Sequence, residues 1–391
     1  MFPLGPHTIF VTLAGSQAHG TARPGSDVDL RGVCVAPLSV RLSLFEDFAQ
    51  YEGEVPDALA RSIVPRLEAH PTASRALDLK TECVIFDVSK FVRLCAAANP
   101  NALEILFADP RDWVYVTPAW RHLHDARRQF LTQKVQQTFL GYAMAQLKKI
   151  ETHRAWLLHP PRKKPSREDF DLPAASATLS RDDQNRIERS IADKIRSYGI
   201  DDIDMPRATR IALQERLAAL FRDALSASDD DLDARMRAVA TRGLRLPPEV
   251  VAALNAEKKY RSAMKQWDAY QAWKAHRNPA RAALERQHGY DTKHAMHLIR
   301  LLRMGLEILE TGELRVRRDD AGELSAIRDG AWAFDALHEH AAALRHRMKA
   351  AARTSSLPAD IDMAGVDSLV EGIMVHPVGP PTSERRHDVV P

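Results

Sequence analysis

Apolar residues cluster in three short runs within the first 120 residues, and each run predicts a β-strand. "HTIFVTLAG" is rich in β-branched residues and ends at Gly15, "VDLRGVCVAP" stops at Pro37, and "ECVIFDV" opens with Glu82. The third run leads directly into "SKFVRLCAAANPNALEILFA", whose apolar spacing is helical with a break near Asn99 and Pro100. Residues 49–75 are weakly patterned and predict a loop with a helical piece. The pattern therefore predicts a mixed α/β domain over residues 1–120.

From about residue 121 onward, apolar residues recur at helical spacing almost without interruption. Examples are "KVQQTFLGYAMAQLKKIETHRAWLL" and "TKHAMHLIRLLRMGLEILETG". The proline-rich, basic stretch "HPPRKKPSREDFDLP" interrupts the helices and predicts an irregular connector. The last stretch, "HPVGPPTSERRHDVVP", has the composition of a flexible tail. We therefore expect an α+β protein with a helical domain over residues 121–375 and a tail over 376–391.

Composition is that of an ordinary soluble protein, with 45% hydrophobic and 27% charged residues. No apolar run is long enough for a membrane span, and the first residues lack the pattern of a secretory signal. Three widely spaced cysteines match no zinc spacing, which favours reduced thiols and a cytoplasmic location. Net charge is +3, but residues 121–167 hold 11 Lys and Arg against two acids. That segment is a candidate surface for a polyanion, although a solvated helix face explains it equally simply.

The stretch "LAGSQAHGTARPGSDVDLRGVCV" carries the candidate chemistry. Gly15 and Ser16 end the first predicted strand, where exposed backbone N–H groups and a hydroxyl suit phosphate oxygens. Asp27 and Asp29 stand two apart at the start of the second strand, so both carboxylates point to one face. Two such carboxylates repel each other unless a cation neutralises them, and hard oxygen ligands suit Mg²⁺. The Gly-Ser pair or the Asp-x-Asp pair alone is common in turns and helix caps. The two pairs together predict a site for a metal ion and phosphate.

A two-metal site needs a third carboxylate from a neighbouring strand. Glu82 is the favoured candidate, because an acid that opens an apolar strand is a poor choice for packing. Asp87 is a rival, but it directly precedes a predicted helix and an N-cap explains it. Asp78 is a weaker rival.

With these residues, the sequence resembles the DNA-polymerase-beta-like nucleotidyltransferases. More narrowly, it resembles the RNA-repair, or RNA-ligase-associated, branch of that superfamily, through "GSQAHGTARPGSDVDLRGV" and the block "GYDTKHAMHLIRLLRMGLEIL". The likeness covers most of the chain apart from 172–250 and the tail. It implies a palm domain over residues 1–120, a helical domain that closes one side of a cleft, and transfer of a nucleotidyl group from an NTP with release of pyrophosphate. The family typically has Asp at this position, so Glu82 keeps the carboxylate but has the longer side chain.

The resemblance also assigns candidate roles outside the acids. Gly15, Ser16 and Thr21 would bind the nucleotide together with three residues at helical spacing, which are Lys293, His297 and Arg300. A solvated basic stripe is the alternative for these three. His294 and His297 lack a visible third ligand, so a zinc site is not expected. In the connector, Lys163, Lys164 and Arg167 would contact phosphates of the acceptor, unless they merely keep a linker soluble.

The leading hypothesis is a nucleotidyltransferase dependent on Mg²⁺ or Mn²⁺ that adds NMP to a hydroxyl, with an RNA (tRNA-like) 3′ end, in untemplated addition or repair, as the favoured acceptor. Asp27, Asp29 and Glu82 would bind the metal, and the acceptor RNA would be held by the basic segment. A protein hydroxyl, a small molecule or a second nucleotide is the alternative acceptor. A third hypothesis is an RNA-binding module that lacks turnover.

Overall fold

A mixed five-stranded sheet underlies the N-terminal part of the chain in the computed structural model, which describes residues 2–71, 73, 81–172, 181–203, 205–226 and 239–375. The strand order is β3-β4-β2-β1-β5. β2 and β4 are parallel, whereas the β1/β2, β1/β5 and β3/β4 pairs are antiparallel. The strands are β1 (Thr8–Leu13), β2 (Val28–Cys34), β3 (Gln50–Gly53), β4 (Thr81–Asp87) and β5 (Trp113–Val116).

The three predicted strands are confirmed as β1, β2 and β4, and they form the interior of the sheet. β3 and β5 were not predicted. Each contains four residues and lies at an edge of the sheet, where a single neighbouring strand supplies its hydrogen bonds. Such short segments carry too few residues for a periodic pattern to stand out.

Helices make up most of the rest, which confirms the expected α+β class. The predicted helix after β4 is present and breaks at Asn99, whose side chain caps the next helix. The helices are α1 (Leu4–His7), α2 (Gly15–His19), α3 (Leu38–Arg41), α4 (Asp57–Ala69), α5 (Val88–Ala96), α6 (Pro100–Leu106), α7 (Pro118–Asp125), α8 (Val135–Leu158), α9 (Arg181–Arg196), α10 (Arg207–Ser226), α11 (239–243), α12 (Pro248–Ala275), α13 (Pro279–His288), α14 (Thr292–Thr311), α15 (Ala321–Arg328), α16 (Phe334–Thr354) and α17 (Met363–Val375).

The two faces of the sheet have different neighbours because side chains alternate along each strand. Val28 and Leu30 of β2 point to the face that packs against α4. Val33 points to the opposite face, where the larger core includes residues of α5, α7, α8 and α14. Asp29 and Arg31 have the same parity as Val33, so they project on this second face. The acid therefore lies on the side of the sheet that carries the long helices.

The described residues group into two units. One contains the residues up to Leu158 together with those from Pro279 onward, and the other spans His159–Asn278. These boundaries differ from the expected division at residue 120, because α8 and α14 pack against each other within the first unit. The second unit has its own core, which is built around Ile191 of α9 and Val250 of α12.

Several expectations can be placed directly. The three cysteines, Cys34, Cys83 and Cys95, are buried free thiols that form no disulfide with one another. Among the described residues, none of the helices combines the length and apolar character needed to cross a bilayer. The expected tail, 376–391, and the rival acid Asp78 lie outside the described residues.

Candidate active site

Gly15 brings the end of β1 against the Asp29 carboxylate. Its φ of +59° lies in the left-handed region, which favours glycine. A Cβ built on Gly15 would come within 2.4 Å of Asp29 Oδ2. The backbone of the neighbouring residue is fixed as well, since Ala14 N–H donates to Asp29 O at 2.8 Å. Glycine is therefore required here both for its conformation and for the close approach.

Asp29 and Glu82 are brought together by the parallel pairing of β2 and β4. They are direct register partners, so their side chains project from the same face of the sheet. Arg31 lies beside both, with Nη2 3.2 Å from Glu82 Oε1 and 3.8 Å from Asp29 Oδ1. The Glu82 side chain is 64% exposed and that of Asp29 is 32% exposed. The sheet thus presents two carboxylates side by side, with one guanidinium between them.

Asp27 precedes β2 and is exposed. Burial raises the pKa of the Asp29 carboxyl; Arg31 opposes the rise, while the negative charges of Glu82 and Asp27 add to it. The three acids therefore act on one another electrostatically, although the described structure does not bring one oxygen of each within 4.8 Å of the others. Hard oxygen donors whose mutual repulsion disfavours ionisation suit a divalent cation such as Mg²⁺. Asp27, Asp29 and Glu82 are the residues that would hold it.

A cleft of about 650 Å³ opens over these acids, a size typical of small-molecule sites. One wall comes from the sheet, through β1, β2, β3 and β4, and the other from helices α6, α8, α13 and α14. Of the residues expected at the site, the lining includes Gly15, Asp29, Glu82, Lys293, His297 and Arg300. Ser16, Thr21 and Asp27 are outside this lining.

Ser16 and Thr21 are joined by a backbone hydrogen bond, from Thr21 N–H to Ser16 O at 2.9 Å. Ser16 is half-buried in α2, and Thr21 is buried, with its hydroxyl unpaired among the described residues. Asp87 caps α5 by accepting from Ser89 N–H at 2.9 Å, as its position before the helix indicated.

Lys293 is the cation of α14 that faces the acids. Burial of the ammonium group lowers its pKa, as do Arg281 and Arg328, while Asp29 and Asp27 raise it. His297 lies one turn further along the helix, and burial together with Arg300 lowers its pKa to about 2. At neutral pH, His297 is thus an uncharged hydrogen-bonding group, and Lys293 supplies the positive charge.

Arg300 has a partner that sequence analysis did not find. Its guanidinium forms an ion pair with Glu104 of α6 and lies 3.0 Å from His19 Nε2. Burial alone would raise the pKa of Glu104, but Arg300 and His19 outweigh it and hold that pKa well below its usual value. Arg300 is itself only 5% exposed. Its charge is therefore already compensated within the protein, at the floor of the cleft.

The start of α14 is held by a second buried network, centred on Asp291. This carboxylate caps the helix by accepting from His294 N–H at 3.1 Å. Its Oδ2 lies 3.1 Å from His153 Nδ1, 3.6 Å from His294 Nε2, and in direct contact with Arg281. His294 therefore has two neighbours that could act as ligands, His153 and Asp291, because one ligand atom of each of the three residues lies within 4.8 Å of the others; His297, with which the sequence analysis grouped it, is not part of this cluster. Because Arg281 already neutralises Asp291, the network is explained as an ion pair that fixes the helix start.

The three cations of the connector lie in the second unit. Arg167 is paired with Glu257 at 3.0 Å and stacks over Tyr260, so it stabilises the local fold. Lys163 pairs with Asp169 at 2.9 Å, whereas Lys164 is exposed. The basic segment 121–167 is thus divided between the two units, since its residues up to Leu158 belong to the first unit and the rest to the second.

Comparison with known proteins finds similarity in the N-terminal region of the chain. A protein described as an uncharacterized 38.9 kDa protein in the nrdC-mobD intergenic region of Enterobacteria phage T4 is 25% identical over 144 residues. The match covers 36% of this chain and 38% of the length of that protein. No solved structure shows significant similarity. Residues 5–158, which contain the Gly15/Asp29/Glu82 arrangement, match the RlaP family, described as the RNA repair pathway DNA polymerase beta family, and for this region the match confirms the family that the motifs indicated.

Proposed function

We propose that this protein is a metal-dependent nucleotidyltransferase that transfers NMP from an NTP to the 3′ hydroxyl of an RNA, such as a tRNA-like end. The observation that carries the proposal is the pairing of Asp29 with Glu82 on adjacent parallel strands, in a cleft whose other wall is cationic. Acids on one wall and cations on the other suit a substrate made of a divalent ion and a polyphosphate.

Each wall has a distinct task in this proposal. Asp27, Asp29 and Glu82 would hold Mg²⁺ or Mn²⁺, which supplies charge neutralisation at the α-phosphate and at the attacking hydroxyl when bound. Gly15 keeps the backbone close to Asp29 without a side chain between them. Lys293 stabilises the negative charge that accumulates on the departing pyrophosphate.

The other expected nucleotide-binding residues have less direct roles. His297 donates or accepts a hydrogen bond without adding charge, and Arg300 keeps its place through Glu104. Ser16 and Thr21 support the turn after β1 through their shared hydrogen bond. Correct positioning of the reacting groups lowers the barrier of such a transfer.

An RNA acceptor is supported by the family description and by the basic segment over residues 121–167. In the connector, Lys163 and Lys164 are exposed and would contact the acceptor backbone, whereas Arg167 would act through the fold of the second unit. Binding that depends on such contacts weakens steeply with salt.

The test is to incubate the protein with Mg²⁺, each of the four α-labelled NTPs and a tRNA pool. We expect label on RNA 3′ ends, dependent on the metal and lost in Asp29→Asn and Glu82→Gln. Label on protein, or in a dinucleotide, would select a different acceptor. No transfer to any acceptor, with RNA binding that is indifferent to Asp27→Asn, would overturn the enzymatic proposal in favour of an RNA-binding module.

A further inference from the structure

One face of α8 lines the cleft with three residues to which the motifs assign no role. Tyr142, Gln146 and Lys149 are spaced by four and three positions, so they project from one side of the helix. All three contribute to the same cleft as Asp29 and Glu82. We call them the α8 strip. It offers, in order along the helix, an aromatic ring, an amide and an ammonium group.

The first two residues of the strip, Tyr142 and Gln146, are each held in place by a hydrogen bond with a residue outside the strip. Asn99 Nδ2 donates to the Tyr142 hydroxyl at 2.8 Å, and Asn99 is itself fixed as the N-cap of α6. Gln146 Oε1 lies 2.7 Å from His294 Nδ1, which ties the middle of the strip to α14. Tyr142 is nevertheless 37% exposed. An exposed, oriented ring in a cleft is a stacking platform.

Lys149 lies at the cationic end of the cleft. It is exposed, and its charge reaches His294, whose pKa burial and nearby charges lower to about 4. Lys293, which directly precedes His294 in the chain, interacts in turn with Asp29 and Asp27. Lys149 and Lys293 therefore line the same cleft as Asp29 and Glu82, from the adjacent helices α8 and α14.

We propose that the α8 strip binds the NTP, with Tyr142 stacking on the base and Lys149 contacting the β- and γ-phosphates. Tyr142 and Lys149 are seven positions apart, which is a rise of about 10 Å along the helix, comparable with the separation of the base and the terminal phosphates in an extended nucleoside triphosphate. The inference rests on the proposed function, since it places the substrate of that reaction in the same cleft.

The experiment is calorimetric titration of the full chain with α,β-methylene analogues of the four NTPs in Mg²⁺, and with the corresponding NMPs. Lys149→Ala is expected to weaken binding of the triphosphate analogue about tenfold, through loss of a hydrogen bond to a charged group, and to leave NMP binding unchanged. Tyr142→Ala is expected to weaken both about tenfold, whereas Tyr142→Phe keeps the ring and its affinity.

Lys148→Ala is the matched control. Lys148 is exposed and adjacent, but it projects about 100° away around the helix and is outside the cleft lining. Equal binding by the Lys149 and Lys148 variants would overturn the inference. The inference would also be overturned if Lys149→Ala weakened the binding of a fluorescent RNA hairpin and not that of the nucleotide analogues, since the strip would then bind the acceptor.

The two proposals fail in different ways. If no acceptor is labelled but the analogues bind with the differences above, the strip stands and the transfer reaction falls. If transfer proceeds and Lys149→Ala behaves like Lys148→Ala in both binding and KM for NTP, the reaction stands and the strip falls.

Discussion

Replacement of Gly15 by alanine tests the geometry of the site most directly. The left-handed backbone at Gly15 costs an alanine about 1–2 kcal/mol. The new Cβ would also lie 2.4 Å from Asp29 Oδ2, so the carboxylate must retreat by about 1 Å to reach an ordinary contact. A displacement of that size at a reacting centre reduces the rate by about 100-fold. Gly15→Ala is therefore expected to lose modest stability and most of its activity.

Gly25→Ala separates the two effects. Gly25 has a φ of +82°, so alanine meets the same backbone penalty there, but no described heavy atom lies within 4 Å of the added Cβ. Urea unfolding should show a similar loss of stability in both variants. Single-turnover nucleotidyl transfer and Mn²⁺ affinity, measured by electron paramagnetic resonance, should fall only in Gly15→Ala. If the two variants lose activity equally, or if Gly15→Ala retains both properties, the close approach of Gly15 to Asp29 has no functional weight.

Three further predictions follow from the charges of the structure. Glu104→Gln leaves Arg300 buried without its carboxylate and should cost about 3–5 kcal/mol of unfolding free energy at pH 7. Because the pKa of Glu104 is lowered, this contribution should shrink as the pH falls below the ordinary glutamate pKa, which a pH series of urea melts would detect. Asp29→Asn should instead raise stability at pH 7 while abolishing transfer, since the raised pKa of Asp29 disfavours the ionised form in the fold; a lower urea midpoint than that of the wild type would contradict this. Lys164→Ala should reduce the salt dependence of RNA binding by about one unit of slope without changing the melting temperature, whereas Arg167→Ala should lower that temperature.

The acids of the sheet were readable from the sequence because their pattern is local. Asp27 and Asp29 adjoin an apolar run, and Glu82 opens another, so a strand prediction alone places them on candidate faces. The register that pairs Asp29 with Glu82 depends on which strands are neighbours. That is a property of the tertiary fold, and the order β3-β4-β2-β1-β5 has no local signature.

The helical wall of the cleft was less predictable for the same reason. Lys293, His297 and Arg300 share a helix face, and spacing alone cannot distinguish a residue that faces a ligand from one that meets a buried partner. Arg300 is neutralised by Glu104, which is 196 residues away in the chain. The α8 strip was not predicted, because nothing in the sequence distinguishes its three residues from other residues of a long helix. Their position in the cleft depends on the packing of α8 against α14. The separate unit formed by residues 159–278, between α8 and α13, was not predicted because its sequence has the same helical pattern as the segments on either side.

The distribution of charge gives the proposed reaction its physical basis. Carboxylates come from the sheet, where strand pairing fixes their spacing, and free cationic charge comes from Lys293 and Lys149 on the helices opposite. Arg31 pairs with Glu82 on the sheet, and Glu104 pairs with Arg300 on the helices, so each pair offsets part of the charge of its own wall. A metal–triphosphate complex is itself divided into a cationic and an anionic part. In the proposed reaction, a cleft with separated walls of opposite charge would bind this complex in one orientation, with the metal toward the sheet and the phosphates toward the helices.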